Sequence, residues 1–251
     1  MTDDTSVLPR PRAQEKPLIP ERIRALDWSS VTHDLDERGC AVLPAILTRD
    51  ECRALAAMFE RDDLFRSTVV MARHGFGRGK YKYLAYPLPP LVGDLRAGLY
   101  SPLAAIANRW NQSMKIDTRY PRMHEEYIDV CRKAGQTRPT PLILSYDEGD
   151  WNALHQDLYG DNVFPMQVAF LLSQPGEDFT GGEFVLVEQR PRMQSRAEVV
   201  SLRQGDAVVF AVSHRPVRGG KGTYRVNLRH GVSRIRSGHR TTMGIIFHDA
   251  T

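Results

Sequence analysis

The stretch Leu154-His155-Gln156-Asp157-Leu158-Tyr159-Gly160 decides how this chain of 251 residues is interpreted. Its central feature is the pair His155 and Asp157. In a β-strand, residues i and i+2 point to the same side, so both side chains can reach one metal ion while Gln156 points away. Two histidines and one carboxylate on one face of a metal are typical of non-haem Fe(II) sites, whose opposite face stays open. A His-x-Asp pair is common by chance, so the interpretation depends on a third ligand.

Two later histidines are candidates for the third ligand. His214 follows a short apolar run at residues 207–210 and is expected at a strand end or loop start. His230 ends the alternating stretch 224–230, which follows a glycine-rich turn. If that turn makes a hairpin, residues 224–230 pair antiparallel with residues 207–210 and place His230 inside the sheet. We therefore predict that His230 is the ligand and that His214 lies in a loop or beside the site.

Arg240 follows His230 by ten residues, directly after the turn at residues 237–239. It is expected to begin a strand that neighbours the strand of His230. A planar guanidinium binds both oxygens of a carboxylate at once, so Arg240 is predicted to hold the far carboxylate of a keto acid. The alternative is a surface charge within a basic segment.

Five separated motifs occur in a characteristic order: His155-x-Asp157, Gly181-Gly182-Glu183-Phe184, Gly205-Asp206-x-x-x-Phe210, His230-Gly231-Val232 and Gly238-x-Arg240. In this order they resemble the Fe(II)/2-oxoglutarate-dependent dioxygenases, with spacing nearest the prolyl-hydroxylase-like branch. Residues 151–250 resemble, more narrowly, a bacterial family grouped with AlkB-like nucleic-acid demodification enzymes. Residues 154–160 and 190–196 carry the narrower likeness, and the resemblance extends back to Gly39.

The resemblance implies a complete set of site residues. His155, Asp157 and His230 would bind Fe(II), and Arg240 would pair with 2-oxoglutarate, whose oxidation with O2 gives succinate and CO2. Tyr146 stands nine residues before His155, where related enzymes often place a tyrosine that hydrogen-bonds the co-substrate. An ordinary aromatic residue of a strand is an equally good interpretation. Ascorbate is a candidate reductant.

The overall composition indicates one catalytic domain. Hydrophobic residues make up 41% and charged residues 25% of the chain, which are ordinary globular values. The sequence has no apolar run long enough to span a membrane, so no membrane partner is expected. Cys40, Cys52 and Cys131 lack C-x-x-C spacing, which argues against a zinc site and favours reduced thiols in the cytoplasm.

The element pattern predicts an α+β fold in which helices pack on one sheet of a double-stranded β-helix, or jelly roll. Residues 1–20 are polar and rich in proline and are expected to be disordered. Residues 21–140 are predicted to form a helical support and substrate entrance, and residues 141–251 the catalytic core of the same domain. Asp27, or Ser29 or Ser30, is expected to cap one helix, and Thr48 with Glu51 opens another. In the stretch 100–132, Pro102 is expected near a helix start and Pro121 at a break.

Two basic segments bear on the substrate. Residues 190–240 contain 12 Arg and Lys against two acids, and residues 66–82 contain basic residues without an acid. The second segment interleaves aromatic side chains with glycines at 75, 77 and 79, a spacing that does not match a phosphate-binding fingerprint. Basic groups can neutralise phosphates and aromatic rings can stack on a base. The residues predicted to contact substrate are Arg73, Phe76, Arg78, Lys80 and Tyr81.

Three functions are consistent with these observations. The favoured one is hydroxylation of an alkylated base in nucleic acid, which removes the alkyl group. The alternative is a peptidyl hydroxylase of the prolyl type, with a protein substrate. The third is a binding module without catalysis that uses the basic surface alone. For the basic segments themselves, the alternative is a solvated charged loop beside strands whose arginines face water.

Overall fold

The computed structural model describes residues 17–158, 160–190, 192–220 and 222–251. Residues 1–16 of the segment expected to be disordered therefore lie outside the described residues, and the first helix begins at Ile19, inside the range 1–20. Three short 3₁₀ turns lie at Met58–Glu60, Asp62–Leu64 and Met71–Arg73. The helices are α1 (Ile19–Arg24), α2 (Trp28–Arg38), α3 (Arg49–Ala57), α4 (Pro90–Ser113) and α5 (His124–Lys133).

The helix starts follow local capping chemistry. Asp27 accepts hydrogen bonds from the amides of Ser29 and Ser30, and Thr48 and Glu51 form the predicted capping box. The expectation for Pro102 is wrong, because α4 begins at Pro90 and Pro102 lies inside the helix. An internal proline costs a helix about 3 kcal/mol, and the buried apolar face of α4 continues across it and offsets that cost.

Strands form most of the rest of the chain. They are β1 (Cys40–Leu43), β2 (Phe65–Val70), β3 (Gly77–Arg78), β4 (Lys80–Leu84), β5 (Leu142–Tyr146), β6 (Trp151–His155), β7 (Met166–Leu171), β8 (Phe179–Gly181), β9 (Phe184–Gln189), β10 (Arg196–Val200), β11 (Ala207–Ala211), β12 (His214–Gly219), β13 (Gly222–Val232), β14 (Ile235–Gly238) and β15 (Arg240–Ile246).

Two large antiparallel sheets face each other, as the predicted jelly roll requires. The first has the strand order β1-β11-β7-β15-β5-β4-β2, and the second has the order β10-β9-β13-β6-β3 with β12 paired to β13. A small ribbon of β8 and β14 lies apart from them. The helices share one apolar core with the seven-stranded sheet, so the predicted α+β class is confirmed. Residues 21–140 also contribute β1 to β4, and this region is therefore more than a helical support.

Two predicted strand neighbours are wrong. The strand of His230, β13, makes its hairpin with β12 and not with residues 207–210, which form β11 in the other sheet between β1 and β7. Arg240 begins β15, which pairs with β5 and β7 and is not a neighbour of β13. In a jelly roll the chain crosses between the two sheets at some of its turns, so strands that are close in sequence, such as β11 and β13, can lie in opposite sheets.

Within the described ranges, no helix is long and apolar enough to cross a membrane.

Candidate metal centre and active-site cavity

Three side chains converge on one point: His155 and His230 in the six-stranded sheet, and Asp157 just after the end of β6. His155 Nε2 lies 3.4 Å from one carboxylate oxygen of Asp157, and His230 Nε2 lies 3.4 Å from the other. One donor atom from each residue lies within 4.8 Å of the others, and among the described residues this is the one cluster able to hold a metal ion. The two histidines are far apart in the sequence, but they meet because they stand directly opposite each other on β6 and β13.

The two imidazoles are held in the orientation that a metal needs. His155 Nδ1 lies 2.7 Å from the carbonyl oxygen of Ala153, so its N–H is used there and Nε2 faces the cluster. Burial lowers the pKa of His230, which favours the neutral imidazole that ligates metals, although Asp157 acts in the opposite direction. The ring of Phe210 packs 4.5 Å from the His230 ring, centre to centre.

His214 lies outside this cluster. It begins β12, where its Nδ1 lies 3.0 Å from the hydroxyl of Ser213. Gln156, between the two candidate ligands of the His-x-Asp pair, turns away and donates to the carbonyl oxygens of Ser213 and Leu228. The structure therefore brings the candidate ligands His155, Asp157 and His230 together, and His214 lies apart from them.

Arg240 is a buried cation inside the same cavity. Only 3% of its surface is exposed, and its Nε and Nη1 have no hydrogen-bond partner among the described residues. Burial lowers its pKa to about 10, so it stays positively charged at neutral pH. At Gly182, where φ is +65°, a Cβ atom would lie 2.8 Å from Arg240 Cδ, so glycine is required beside the guanidinium. An anion in the cavity could supply the partner that Nε and Nη1 lack among the described residues.

A β-bulge brings two further polar groups into the cavity. His155 pairs with His230 and Asn152 pairs with Val232, so three steps along β6 match two along β13. Asn152 and His155 consequently share a face despite their odd spacing. The Asn152 amide donates to the hydroxyl of Tyr146 over 3.4 Å, and Tyr146 is fully buried.

The cavity lies between the two large sheets and has a volume of about 380 Å³. Its walls are mainly apolar and aromatic, as is typical of small-molecule sites, with a few polar groups that converge inside. One end holds Arg240 and Tyr146. Further lining residues are Phe76, Tyr81, Tyr83, Leu142, Leu144, Asn152, His155, Asp157, Gln167, Phe184, Phe210, His230, Thr242, Gly244 and Ile246.

Of the five residues predicted to contact substrate, Phe76 and Tyr81 line this cavity. The Phe76 carbonyl accepts a hydrogen bond from the amide of Ala153, two residues before His155, and its ring stacks on His74. This close approach requires glycine at 77, because a Cβ there would lie 2.3 Å from the carbonyl oxygen of Trp151.

Arg73, Arg78 and Lys80 are exposed and do not line the cavity. Arg78 lies 3.6 Å from Asp150. In the basic segment 190–240, Arg190 and Arg215 donate to Glu188 and Arg240 is buried, so these three charges do not contribute to an open basic surface.

Sequence inspection missed four polar lining residues, which are Tyr83, Asn152, Gln167 and Thr242. Tyr83 is one of several aromatic residues in the stretch 76–83, and Asn152 gave no signal, since the face on which it lies depends on a bulge. Gln167 did give one: it is the single polar side chain in the buried strand Met166–Leu171. A lone amide in an otherwise apolar central strand needs a hydrogen-bonding partner.

The fold and the His-Asp-His centre define an oxygenase of the Fe(II)/2-oxoglutarate type. The structure is similar to a prolyl-4-hydroxylase from Pseudomonas putida, with a TM-score of 0.53, 18% identity, and coverage of 89% of this chain and 99% of that one. It is also similar to a 2OG-Fe(II) oxygenase family protein from Burkholderia pseudomallei, with a TM-score of 0.53, 15% identity, and coverage of 90% and 93%. At these identities the likeness shows the fold.

A sequence family gives the closer assignment. The chain belongs to the family Oxygenase-NA, described as "Oxygenase, catalysing oxidative methylation of damaged DNA", whose family model matches residues 79–250. An uncharacterized protein of Mycobacterium tuberculosis strain H37Rv is 49% identical over 164 residues, which span 65% of this chain and 70% of that protein. The predicted oxygenase superfamily and enzyme class are thereby confirmed.

Proposed function

We propose that this oxygenase oxidises the alkyl group of an alkylated base in nucleic acid, using Fe(II), 2-oxoglutarate and O2. One observation carries the proposal: the His155, Asp157 and His230 cluster opens into the same cavity as Arg240, whose Nε and Nη1 have no hydrogen-bond partner in the described part of the chain. A metal centre that shares a cavity with such a buried cation suits a keto acid that chelates metal at one end and carries a carboxylate at the other.

The donor set fits Fe(II). Two imidazole nitrogens and one carboxylate form the facial arrangement of non-haem iron oxygenases and leave positions for a co-substrate and O2. When bound, the iron would supply oxidation of a C–H bond coupled to conversion of 2-oxoglutarate to succinate and CO2. The protein holds the three ligands, and the rings around His230 keep water from the site.

The opposite sheet supplies the co-substrate contacts. Arg240 is proposed to pair with the far carboxylate of 2-oxoglutarate through its free N–H groups. The Tyr146 hydroxyl, which accepts from Asn152, is left with its own proton to donate, and we propose that it donates to the same molecule. A fixed cation and a fixed hydroxyl would orient the keto acid before the third reactant arrives.

The aromatic entrance supports a base as substrate. A base must leave its stack, or belong to a single strand, before an enzyme can act on it, and it then rests on aromatic faces. Phe76 and Tyr81 provide such faces, and the family description refers to damaged DNA. An oxygenase adds oxygen and transfers no methyl group, so we propose oxidation of an existing N-alkyl carbon. For an N-methyl group, the hydroxylated carbon is a hemiaminal, and cleavage of its C–N bond would release formaldehyde and restore the base.

A peptidyl hydroxylase of the prolyl type is the alternative, because the fold is shared with prolyl hydroxylases. A screen of purified, Fe(II)-loaded protein distinguishes the two. Methylated single-stranded DNA and RNA oligonucleotides and peptide pools would each be incubated with 2-oxoglutarate and ascorbate. We expect succinate and formaldehyde with methylated oligonucleotides. Addition of one oxygen to a peptide, with no formaldehyde from any oligonucleotide, would contradict the proposal.

We further propose a reducing, cytoplasmic location. Cys40, Cys52 and Cys131 are buried and form no disulfide, and Fe(II) requires a reducing environment.

A further inference from the structure

Gln167 is a buried polar group that neither the metal centre nor the co-substrate contacts use. It lies on β7, only 5% of its surface is exposed, and its Nε2 has no hydrogen-bond partner among the described residues. An unsatisfied buried amide destabilises a protein by about 1–3 kcal/mol. Because Gln167 lines the active-site cavity, a bound molecule can supply the missing partner.

The strand register places Gln167 at the end of the cavity away from Arg240. Gln167 is opposite Ile246 at the end of β15, whereas Arg240 begins that strand six residues earlier. At about 3.3 Å per residue, the two positions are roughly 20 Å apart along the sheet. Gln167 is also opposite Phe210, whose ring contacts His230. The amide therefore lies on the metal side of the cavity, at the end opposite Arg240.

Aromatic side chains line the same cavity as this amide. Tyr81 and Tyr83 project from β4, with ring centres 5.4 Å apart and ring planes at 87°. Their strand pairs with Leu142 and Leu144, and Leu142 is paired with Gly244, where a Cβ atom would lie 2.8 Å from Leu142 Cδ2. A cavity with an aromatic wall and a single buried amide matches a planar ring that carries hydrogen-bonding groups on its edge.

We propose that Gln167 recognises the hydrogen-bonding edge of the nucleobase whose alkyl group is oxidised. This inference rests on the proposed function and specifies which residue selects the base. A glutamine amide presents a donor beside an acceptor, which matches the adjacent acceptor and donor on a base edge. Contact with that edge would orient the ring within the aromatic-walled cavity and fix which substituent faces the metal.

Gln167→Met tests the inference, since it keeps the length of the side chain and removes both polar groups. We expect the KM for a methylated oligonucleotide to rise about ten-fold, in line with the loss of one or two hydrogen bonds. Gln174→Met is the matched control, because Gln174 donates to Pro175 and does not line the cavity. In this control, both the KM for the oligonucleotide and the turnover of 2-oxoglutarate without substrate should stay within two-fold of the wild type.

Thermal unfolding separates recognition from a structural role. If the amide is unpartnered in the free protein, Gln167→Met should keep or raise the Tm while the KM worsens. A lowered Tm with an unchanged KM would overturn the inference and leave the proposed function standing. If Gln167→Met does not fold, Gln167→Asn keeps an amide about one methylene short and should also raise the KM. No activity of the wild type on any oligonucleotide would overturn both proposals.

Discussion

Tyr146 and Arg240 are paired residues on the neighbouring strands β5 and β15, and the guanidinium carbon of Arg240 lies 5.6 Å from the centre of the Tyr146 ring. The ring therefore contacts the cation without consuming its N–H groups. In this way a charge can stay buried and positioned while its hydrogen-bonding capacity is kept for a ligand.

Replacement of Arg240 should separate co-substrate binding from metal binding. Arg240→Ala removes the cation from a buried site, and such a loss costs about 2–5 kcal/mol when its partner is bound. We expect the KM for 2-oxoglutarate to rise roughly 30-fold or more while Fe(II) still binds. Arg236→Ala, at an exposed position on β14, is the matched control. An unchanged KM in the Arg240 variant would show that another group holds the carboxylate.

Replacement of the three clustered residues should abolish metal binding. His155→Ala, Asp157→Ala and His230→Ala each remove one of three ligands, so Fe(II) binding measured by calorimetry and succinate formation should both be lost. His214→Ala is the control and should retain appreciable turnover, since His214 lies outside the cluster. The assignment would be wrong if the His214 variant lost iron and the His230 variant kept it.

The contributions of stacking and of charge to oligonucleotide binding at the cavity entrance can be measured separately. Phe76→Ala should weaken binding of a single-stranded oligonucleotide by about 1–3 kcal/mol, since it removes a stacking face, and should leave the salt dependence unchanged. Joint replacement of Arg73, Arg78 and Lys80 by alanine should lower the slope of log affinity against log salt by up to about two, because each phosphate contact contributes about 0.7. Titrations at several salt concentrations measure both effects. An unaltered slope would mean that these exposed charges do not contact phosphates.

Acid should destabilise the protein through two buried histidines. Burial lowers the pKa of His124 and of His248 to about 4, below the unfolded value near 6.5. Both therefore favour the neutral form, so the stability they contribute is complete above pH 6.5 and is lost as the pH falls towards 4. For His248, which is fully buried, the loss at pH 5 is roughly 2 kcal/mol.

Urea unfolding at pH 7.5 and pH 5 measures this loss. His248→Asn keeps an acceptor for the Phe164 amide and removes the titrating ring, so the difference between the two pH values should shrink. His124→Gln keeps a donor for the Phe247 carbonyl and should act in the same direction. Identical pH dependence in both variants and the wild type would place the acid sensitivity elsewhere.

The sequence contained much of the site. The i, i+2 relation of His155 and Asp157, the choice of His230 over His214 and the interior position of Arg240 all followed from local patterns and family motifs. The predicted partners of the strands did not follow, because hairpin logic treats neighbours in sequence as neighbours in a sheet. In the jelly roll, β13 and β15 belong to opposite sheets, so His230 and Arg240 meet across the cavity and not along an edge.

The partners and the burial of polar side chains could not be predicted from the sequence either. Charge density in residues 66–82 and 190–240 suggested a continuous basic surface, yet internal partners such as Glu188 take up part of that charge. Pairing of this kind depends on long-range contacts that no local pattern shows. Gln167 is the opposite case. Its polar side chain was evident in the sequence, but only its burial in the active-site cavity suggested what that side chain binds.

The bulge in β6 makes the number of residues between Asn152 and His155 matter as much as their identity. If β6 paired regularly over these three steps, both metal-facing histidines would stay paired, but Asn152 would turn to the outer face of the sheet, where it could no longer reach Tyr146. Deletion of one residue between Asn152 and His155 would remove the bulge and still keep Asn152 opposite Val232. The irregular pairing, and not the length of the strand alone, therefore decides which side chain meets Tyr146 inside the cavity.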